Sequence, residues 1–600
     1  MNLDNKLPIG EIEIRTAQQT LTKYMAGKQK LDQRIIDNED WYKLQHWKNF
    51  KESKVDRVER SATAWIFNNI SNKHADAMDA YPEPAVLPQA EDDRATAKIL
   101  SSIIPVIMDN CGFESTYSES WWDKLKHGAV CYGVLWDKDA AKGIGDIAIT
   151  SIDMLSIYWE PGITDIQDSR NIFILKLVDN DILVQEYPEL EGMLGQKTID
   201  KKQYHYDDTV DTTGKSVVVD WYYKVKLPSG ATCVHFVKYV DEHVLFATEN
   251  DSDYSDGLYA HGQYPFVMDV LYPEKGTPAG FGLIDIGREP QEYIDRVGSA
   301  ILVNSEEAAR RRYFVKDNAG INEEEFNNID NRIIHCAGSV NDDNVKPVET
   351  PLLNSIYLSV LQDKVNELKE TSSNRDFNQG GTASGVTAAS AIQALQETGN
   401  KTSRDMIKTS YRAYSKICEL IIELIRQFYD VNRTFRIVGD SGDYEFVSFN
   451  NAGLQSSTVS VAGLDFQTKE PHFDIKIKAQ KSSMYSKLSQ NELALQLYNL
   501  GFFNPQLVDQ VLPCIDMMDF DGKDKVRQSI SRNGDMYQQL QKMQQTLAMT
   551  AQALAEKGDP RVLEALSQQS APVQTPSVPK STNKIDMGEV YDQNANTKAL

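Results

Sequence analysis

The chain has 600 residues, 41% of them hydrophobic and 9% aromatic, which allows several domains with real cores. Its 63 basic residues face 87 acidic ones, a net charge of −24. That balance argues against tight sequence-specific nucleic-acid binding, which needs basic stripes that release counterions from phosphates.

From the N-terminus, Glu11 to about Ile36 spaces Ile14, Leu21, Tyr24, Leu31 and Ile35 as an amphipathic helix. A second helix is expected from about Val55 to Ala80, stopped by Tyr81-Pro82-Glu83-Pro84. A third covers Asp92 to Asn110, with Pro105 as a kink, and a short fourth runs from Phe113 to His127. Gly128 stands where a C-terminal cap belongs. The period then changes: Ala129–Trp136 and Asp146–Ile152 read as a hairpin. Further strands are expected at Asn171–Leu177, Ser216–Lys226, Thr232–Val240, Val244–Thr248 and Phe266–Tyr272.

The segment from Asp285 to Tyr429 organises the rest. A helix with Pro290 in its first turn carries Ile294, Val297, Ile301 and Leu302, and ends on Arg310, Arg311 and Arg312, cations that complement the helix dipole. A second helix starts with Thr350 as N-cap and Pro351 behind it, and spaces Leu353, Ile356, Tyr357, Val360, Leu361, Val365 and Leu368 along one side. Each spans roughly 20 to 25 residues, or about 30 to 38 Å. The insert between them is acidic, with Lys316, Arg332 and Lys346 outnumbered by carboxylates that include Glu323, Glu324, Glu325, Asp330, Asp342 and Asp343. A loop of small residues follows, Gln379, Gly380, Gly381, Thr382, Ala383, Ser384 and Gly385. The next helix repeats Ile407, Tyr411, Tyr414, Cys418, Ile421, Ile425 and Phe428 as a near-heptad stripe, with a bend expected at Gly399.

Beyond it, Thr434–Val438, Tyr444–Phe449, Thr458–Val461 and Phe473–Ala479 return to β structure that should rejoin the N-terminal sheets. Met484–Arg532 and Asp535–Glu556 turn helical, and Gly558–Leu600 lacks any core-forming period, so disorder is expected there.

Helix, inserted module, helix, glycine-rich loop and long helix, in that order, resemble the portal proteins of tailed bacteriophages. The ordered pieces Tyr81-Pro82-Glu83-Pro84, Trp121-Trp122-Asp123, Tyr132-Gly133-Val134-Leu135-Trp136-Asp137, Trp159-Glu160-Pro161-Gly162 and Asp168-Ser169-Arg170-Asn171 are similar to the wing of one portal subgroup. Filling of a helix-on-sheet core would explain the tryptophans equally well. The resemblance implies an α+β portal fold. Its parts would be a mixed wing (1–284 and 391–481), two stem helices (285–312 and 351–376), a small α/β clip (313–350), a tunnel loop (377–390), crown helices (482–557) and a disordered tail (558–600).

It also implies a non-enzymatic ring, a dodecamer in that family, placed at one capsid vertex of a virion assembled in the host cytoplasm. The expected partners are the terminase large subunit, the tail adaptor, the major capsid and scaffolding proteins, and double-stranded DNA passing without sequence specificity. Gln379–Gly385 would face the DNA and the acidic clip residues would dock partners. No cofactor is expected.

Rival readings are a nucleic-acid-processing enzyme with a metal held by carboxylates, and a shorter head–tail adaptor. Gly380–Thr387 fits a phosphate-cradling loop except that Val386 stands where lysine is essential, and it follows a helix rather than a strand. The clusters Asp251, Asp253, Asp256 and Asp519, Asp521, Asp524 lack the closing bidentate glutamate of a calcium loop. The histidines show no paired-ligand pattern. The six cysteines form no CxxC pair and read as buried free thiols of a reducing compartment. Met1–Lys6 lacks the start of a secretory leader, and no stretch approaches the ~18 apolar residues of a membrane span.

Overall fold

The computed structural model describes residues 8–48, 61–194, 199, 201–205, 213–226, 230, 232–254, 257–309, 312–317, 320–328, 330, 332–337, 345–348, 354–372, 401–438, 444–455, 457–461, 464–469 and 471–479. Beyond these, only 491, 494–496, 515, 530 and 543 are described, all helical. The chain divides into two units, Met1–Met484 and Tyr485–Leu600. Apart from those few residues, the expected crown helices and tail lie outside the described residues.

The first unit opens with α1 (Glu11–Tyr42), α2 (Trp65–Met78), β1 (Pro82–Pro88), α3 (Arg94–Asn110) and α4 (Phe113–His127). The strands β2 (Ala129–Asp137) and β3 (Asp146–Ile152) flank a one-turn α5 (Ala140–Gly143). Next come β4 (Ile157–Trp159), β5 (Asn171–Asp179), α6 (Asn180–Glu186), β6 (Lys215–Lys226), β7 (Thr232–Val240) and β8 (His243–Ala247). They are followed by β9 (Phe266–Val270), β10 (Tyr272–Pro273) and β11 (Gly280–Phe281).

The central stretch holds α7 (Leu283–Ala309), β12 (Tyr313–Val315), α8 (Glu323–Asn327), β13 (Val345–Pro347) and α9 (Ile356–Thr371). The unit closes with α10 (Lys401–Phe428), β14 (Arg433–Val438), β15 (Tyr444–Phe449), β16 (Ser457–Val461), β17 (Leu464–Lys469) and β18 (Phe473–Ala479).

An antiparallel sheet in the order β4-β5-β6-β7-β8 is covered on one face by α1, whose Ile14, Leu21 and Tyr24 pack on Phe173, Leu175 and Tyr239. A second sheet, β3-β2-β9, carries α4 and α10. Gly128 ends α4 at φ +88°, and a Cβ there would stand 2.2 Å from the Phe281 carbonyl carbon, so both conformation and space require glycine. The β2–β3 hairpin pairs Cys131 with Ile152 through Asp137 with Asp146.

Strand β1 pairs with β18, Pro82 opposite Ala479, and so ties the early chain to the late chain. The Tyr81–Pro84 run therefore does more than stop a helix: its prolines enter an outer strand, where a missing N–H costs no ladder bond.

Several expected helix boundaries move: the first helix runs on to Tyr42 instead of ending near Ile36, and α7 ends at Ala309 with Arg312 outside it and no cation in its last turn. Of the helix expected from Val55, residues 55–60 lie outside the described residues; among the described ones it begins at Trp65, and Thr63 just before it hydrogen-bonds to Asp295 of α7. Pro290 is not in the first turn of its helix but inside it. The start lies at Leu283, where the Asp285 carboxylate accepts the Gly282 N–H at 2.7 Å and fixes the first turn. The next helix begins at Ile356, with the Asn354 side chain accepting its N–H, rather than at Pro351; Thr350 and Pro351 lie outside the described residues. The two helices are unequal, at 27 and 16 residues.

Candidate functional site

Helices α7 and α9 pack side by side. Gly287 faces Leu368, and further along α7 the Tyr293 ring lies 5.3 Å from the Lys364 ammonium, so the pair is antiparallel. The N-terminal half of α7 sinks into the body against α1, α2 and α4. Its fixing point is Asp295, whose buried carboxylate accepts from His46 Nδ1 (2.5 Å), Thr63 N (2.9 Å), Thr63 Oγ1 (2.8 Å) and Gln291 Nε2 (3.0 Å). A buried carboxylate needs such donors to offset its lost hydration.

Past Ser299 the character changes. No described α7 residue is buried there, and Leu302, Ile356, Tyr357, Leu358 and Val360 are all exposed, Ile356 at 59%.

Between the helices, β12 and β13 form a two-stranded ladder, Tyr313 opposite Pro347, with the Phe326 ring of α8 edge-on to Tyr313 at 5.1 Å. Asn322 caps α8 by accepting from Glu324 N, and Glu325 accepts from His335 N (2.8 Å) and Nδ1 (2.9 Å). Those donors hold the Glu325 carboxyl below the usual carboxylate range. Glu323, Glu324 and Asp330 are exposed, and so are Phe314 and Ile333 of the same module. Arg312 pairs with Glu307 at 3.3 Å. Arg310, Arg311, Asp342, Asp343 and the loop residues Gln379, Gly380, Gly381, Thr382, Ala383, Ser384 and Gly385 lie outside the described residues. Asp251 accepts the Asp253 N–H, a turn rather than a cage, and no cluster able to hold a metal occurs among the described residues.

The helix α10 is the opposite of α9 in its setting. Met406, Tyr414, Ile417, Cys418, Ile421, Leu424 and Ile425 are buried among β2, β9, β18, α2 and α3, as the near-heptad stripe requires. Two side-chain relays pin it, the first of them fully buried. The Lys124 ammonium donates to Asp269 Oδ1 (2.7 Å) and Ser410 Oγ (2.5 Å), while the Ser410 hydroxyl donates to Asp269 Oδ2 (2.6 Å). Lys73 likewise donates to Ser403 (2.8 Å), which donates to Asp76 (2.7 Å). Lysine, serine and aspartate could suggest a nucleophile and its base. Lys124, Asp269 and Ser410 are at most 2% exposed, however, and no substrate could reach them. Burial lowers the Lys124 pKa, against the pull of Asp269.

The outward face of α10 carries Lys401, Arg404, Lys408, Arg412 and Lys416, all exposed. The apolar period of the helix marks the buried stripe and is silent on these cations. Their steps of three and four were the available signal, on the side opposite the stripe.

The model of the phage P22-like portal protein family matches residues 33–575. The chain belongs to this family. As a portal protein it is a structural component of the tailed-phage virion, a head–tail connector that serves DNA packaging. No curated protein matches the chain. The matched span takes in α7, the α8 module, α9 and α10 of this portal, and among the described residues no helix is long and apolar enough to cross a membrane.

Proposed function

We propose that this subunit closes into a ring, a dodecamer as in its family, at one capsid vertex, and that the ring is the channel for DNA entry and exit. The observation that carries the reading is the apolar surface of the α7–α9 pair. Leu302, Ile356, Tyr357, Leu358 and Val360 sit on helices already packed together on their inner sides, so water contacts what a neighbouring copy would cover. A different surface on that neighbour would complete a heterologous contact, which closes into a ring when the rotation from one copy to the next divides a full turn.

The parts then take the family's roles. Residues 285–312 and 351–376 are the stem, 313–350 the clip, and 1–284 with 391–481 the wing that meets capsid and scaffolding proteins. Residues 482–557 form the crown. Glu323, Glu324, Glu325, Asp330, Asp342 and Asp343 make the clip a docking surface for basic patches on the terminase large subunit and later the tail adaptor. Gln379–Gly385 touch the DNA without reading its sequence, and assembly takes place in the host cytoplasm.

Mass measurement of the purified protein tests the ring: a closed oligomer is expected, and monomers under every condition would overturn it. Deleting Gly380–Gly385 should leave the oligomer intact and stop DNA packaging. Packaging at the normal rate would remove the loop from the channel.

A further inference from the structure

The exposed face of α10 is a charge anomaly in a chain of net charge −24. Lys401, Arg404, Lys408, Arg412 and Lys416 succeed one another along the helix, on the side opposite the buried stripe. At ~1.5 Å per residue the ridge is about 22 Å long, with cations about 5 to 6 Å apart. That spacing is close to the ~7 Å between phosphates along one strand, and the long lysine and arginine side chains absorb the mismatch. Two carboxylates, Asp405 and Glu419, share the exposed face, and Lys416 lies 3.5 Å from Asp165. The face remains net positive.

A protein partner would leave a different mark. Interfaces between proteins have an apolar, aromatic centre depleted of lysine, whereas among the described residues the exposed large hydrophobic side chains fall before and after α10 and none on it. A row of cations without an apolar centre is the footprint of a polyanion.

We propose that the α10 ridge binds the phosphate backbone of duplex DNA without sequence preference. This rests on the portal reading for the presence of DNA, while the ridge itself is read from the helix. Overall acidity does not forbid it, because at physiological salt the screening length is about 8 Å and carboxylates farther off contribute little. It does keep the contact weak and salt-sensitive, as suits a nucleic acid that must move on. Four to five phosphate contacts correspond to a slope of about −4 in log K against log salt.

The test uses the full-length protein and a labelled duplex of about 30 base pairs, titrated by fluorescence anisotropy at several salt concentrations. Replacing Lys401, Lys408 and Arg412 by glutamine should reduce the slope by about 2.7, since each phosphate contact carries ~0.9, and should weaken binding more than tenfold at low salt. The charge-keeping set Lys401→Arg, Lys408→Arg and Arg412→Lys should bind as the parent does. Two duplexes of unrelated sequence should bind alike.

An unchanged slope and affinity in the glutamine variant would overturn the proposal. So would loss of the oligomer with DNA affinity intact, which would make the face a protein contact. Oligomer mass is read on the same samples: DNA binding through the ridge by a protein that stays monomeric would sink the ring and spare the ridge. A ring whose DNA affinity ignores these cations would do the reverse.

Discussion

The α7–α9 pair and α10 are long amphipathic helices in one unit, and they spend their apolar residues in opposite ways. In α10, thirteen side chains are buried and the solvent side is cationic. In α9, Leu368 alone is buried and Ile356, Tyr357, Leu358 and Val360 face water. The difference separates a helix whose apolar residues are covered by its own chain from one whose apolar residues its own chain leaves exposed. Apolar periodicity marks a face that wants covering; what covers it is decided elsewhere in the sequence.

Three changes should break or sharpen that contrast. The largest effect is expected from Lys124→Ala, which leaves the buried Asp269 carboxylate without its cation and Ser410 without a donor. Losing one partner of a buried pair costs about 3 to 5 kcal/mol, to be seen as a lower denaturant midpoint. A loss below 1 kcal/mol would mean that this relay does little to hold α10 in place.

Next comes acid. His261 lies against the end of α10, where its neighbour Ala260 bonds to Gln427, and its Nδ1 accepts the Gln263 N–H at 3.1 Å. Burial, helped by Lys224, lowers its pKa from 6.5 to about 4, and burial holds His127 well below its ordinary value. Both are neutral in the fold and take up protons when unfolded, so the unfolded chain binds more protons and stability falls as pH drops from 6.5 toward 4. Denaturation midpoints across that window should fall less steeply for His261→Gln than for the parent. An identical fall would place the acid sensitivity elsewhere.

The smallest effect on the subunit itself should come from Leu358→Ser, an exposed site where stability changes by about 0.5 kcal/mol or less. The same change should weaken the oligomer, read as a shift toward lower mass on dilution. An unaffected oligomer would remove this face from the subunit contact.

Much of the fold was legible because its signals are local. Phe113–His127 with the Gly128 cap, and the strands Thr232–Val240, Tyr444–Phe449 and Phe473–Ala479, stand where their periodicity and turn residues put them. Of the misplaced boundaries, one answers to a distant partner and one to an inconspicuous local bond. Thr63 leaves the helical path for Asp295, and the first turn of α7 answers to a Gly282–Asp285 bond rather than to the more conspicuous Pro290. Of the site, the acidic module could be counted directly from the residues, whereas the cations of α10 share their helix with a stronger apolar signal on its other side. The buried relay was not legible, because Lys124, Asp269 and Ser410 come from three elements with nothing in the sequence to join them.

The pairing of Pro82–Pro88 with Phe473–Ala479 also has a consequence for biosynthesis. A nascent chain leaving the ribosome cannot complete this ladder until nearly five hundred residues have been translated, and it must hold exposed strands and helices apart in the meantime. Fragments truncated within α10 or before it would lack both the last strand and the lid of the core, so premature termination should yield aggregates or proteolytic debris rather than a smaller working subunit.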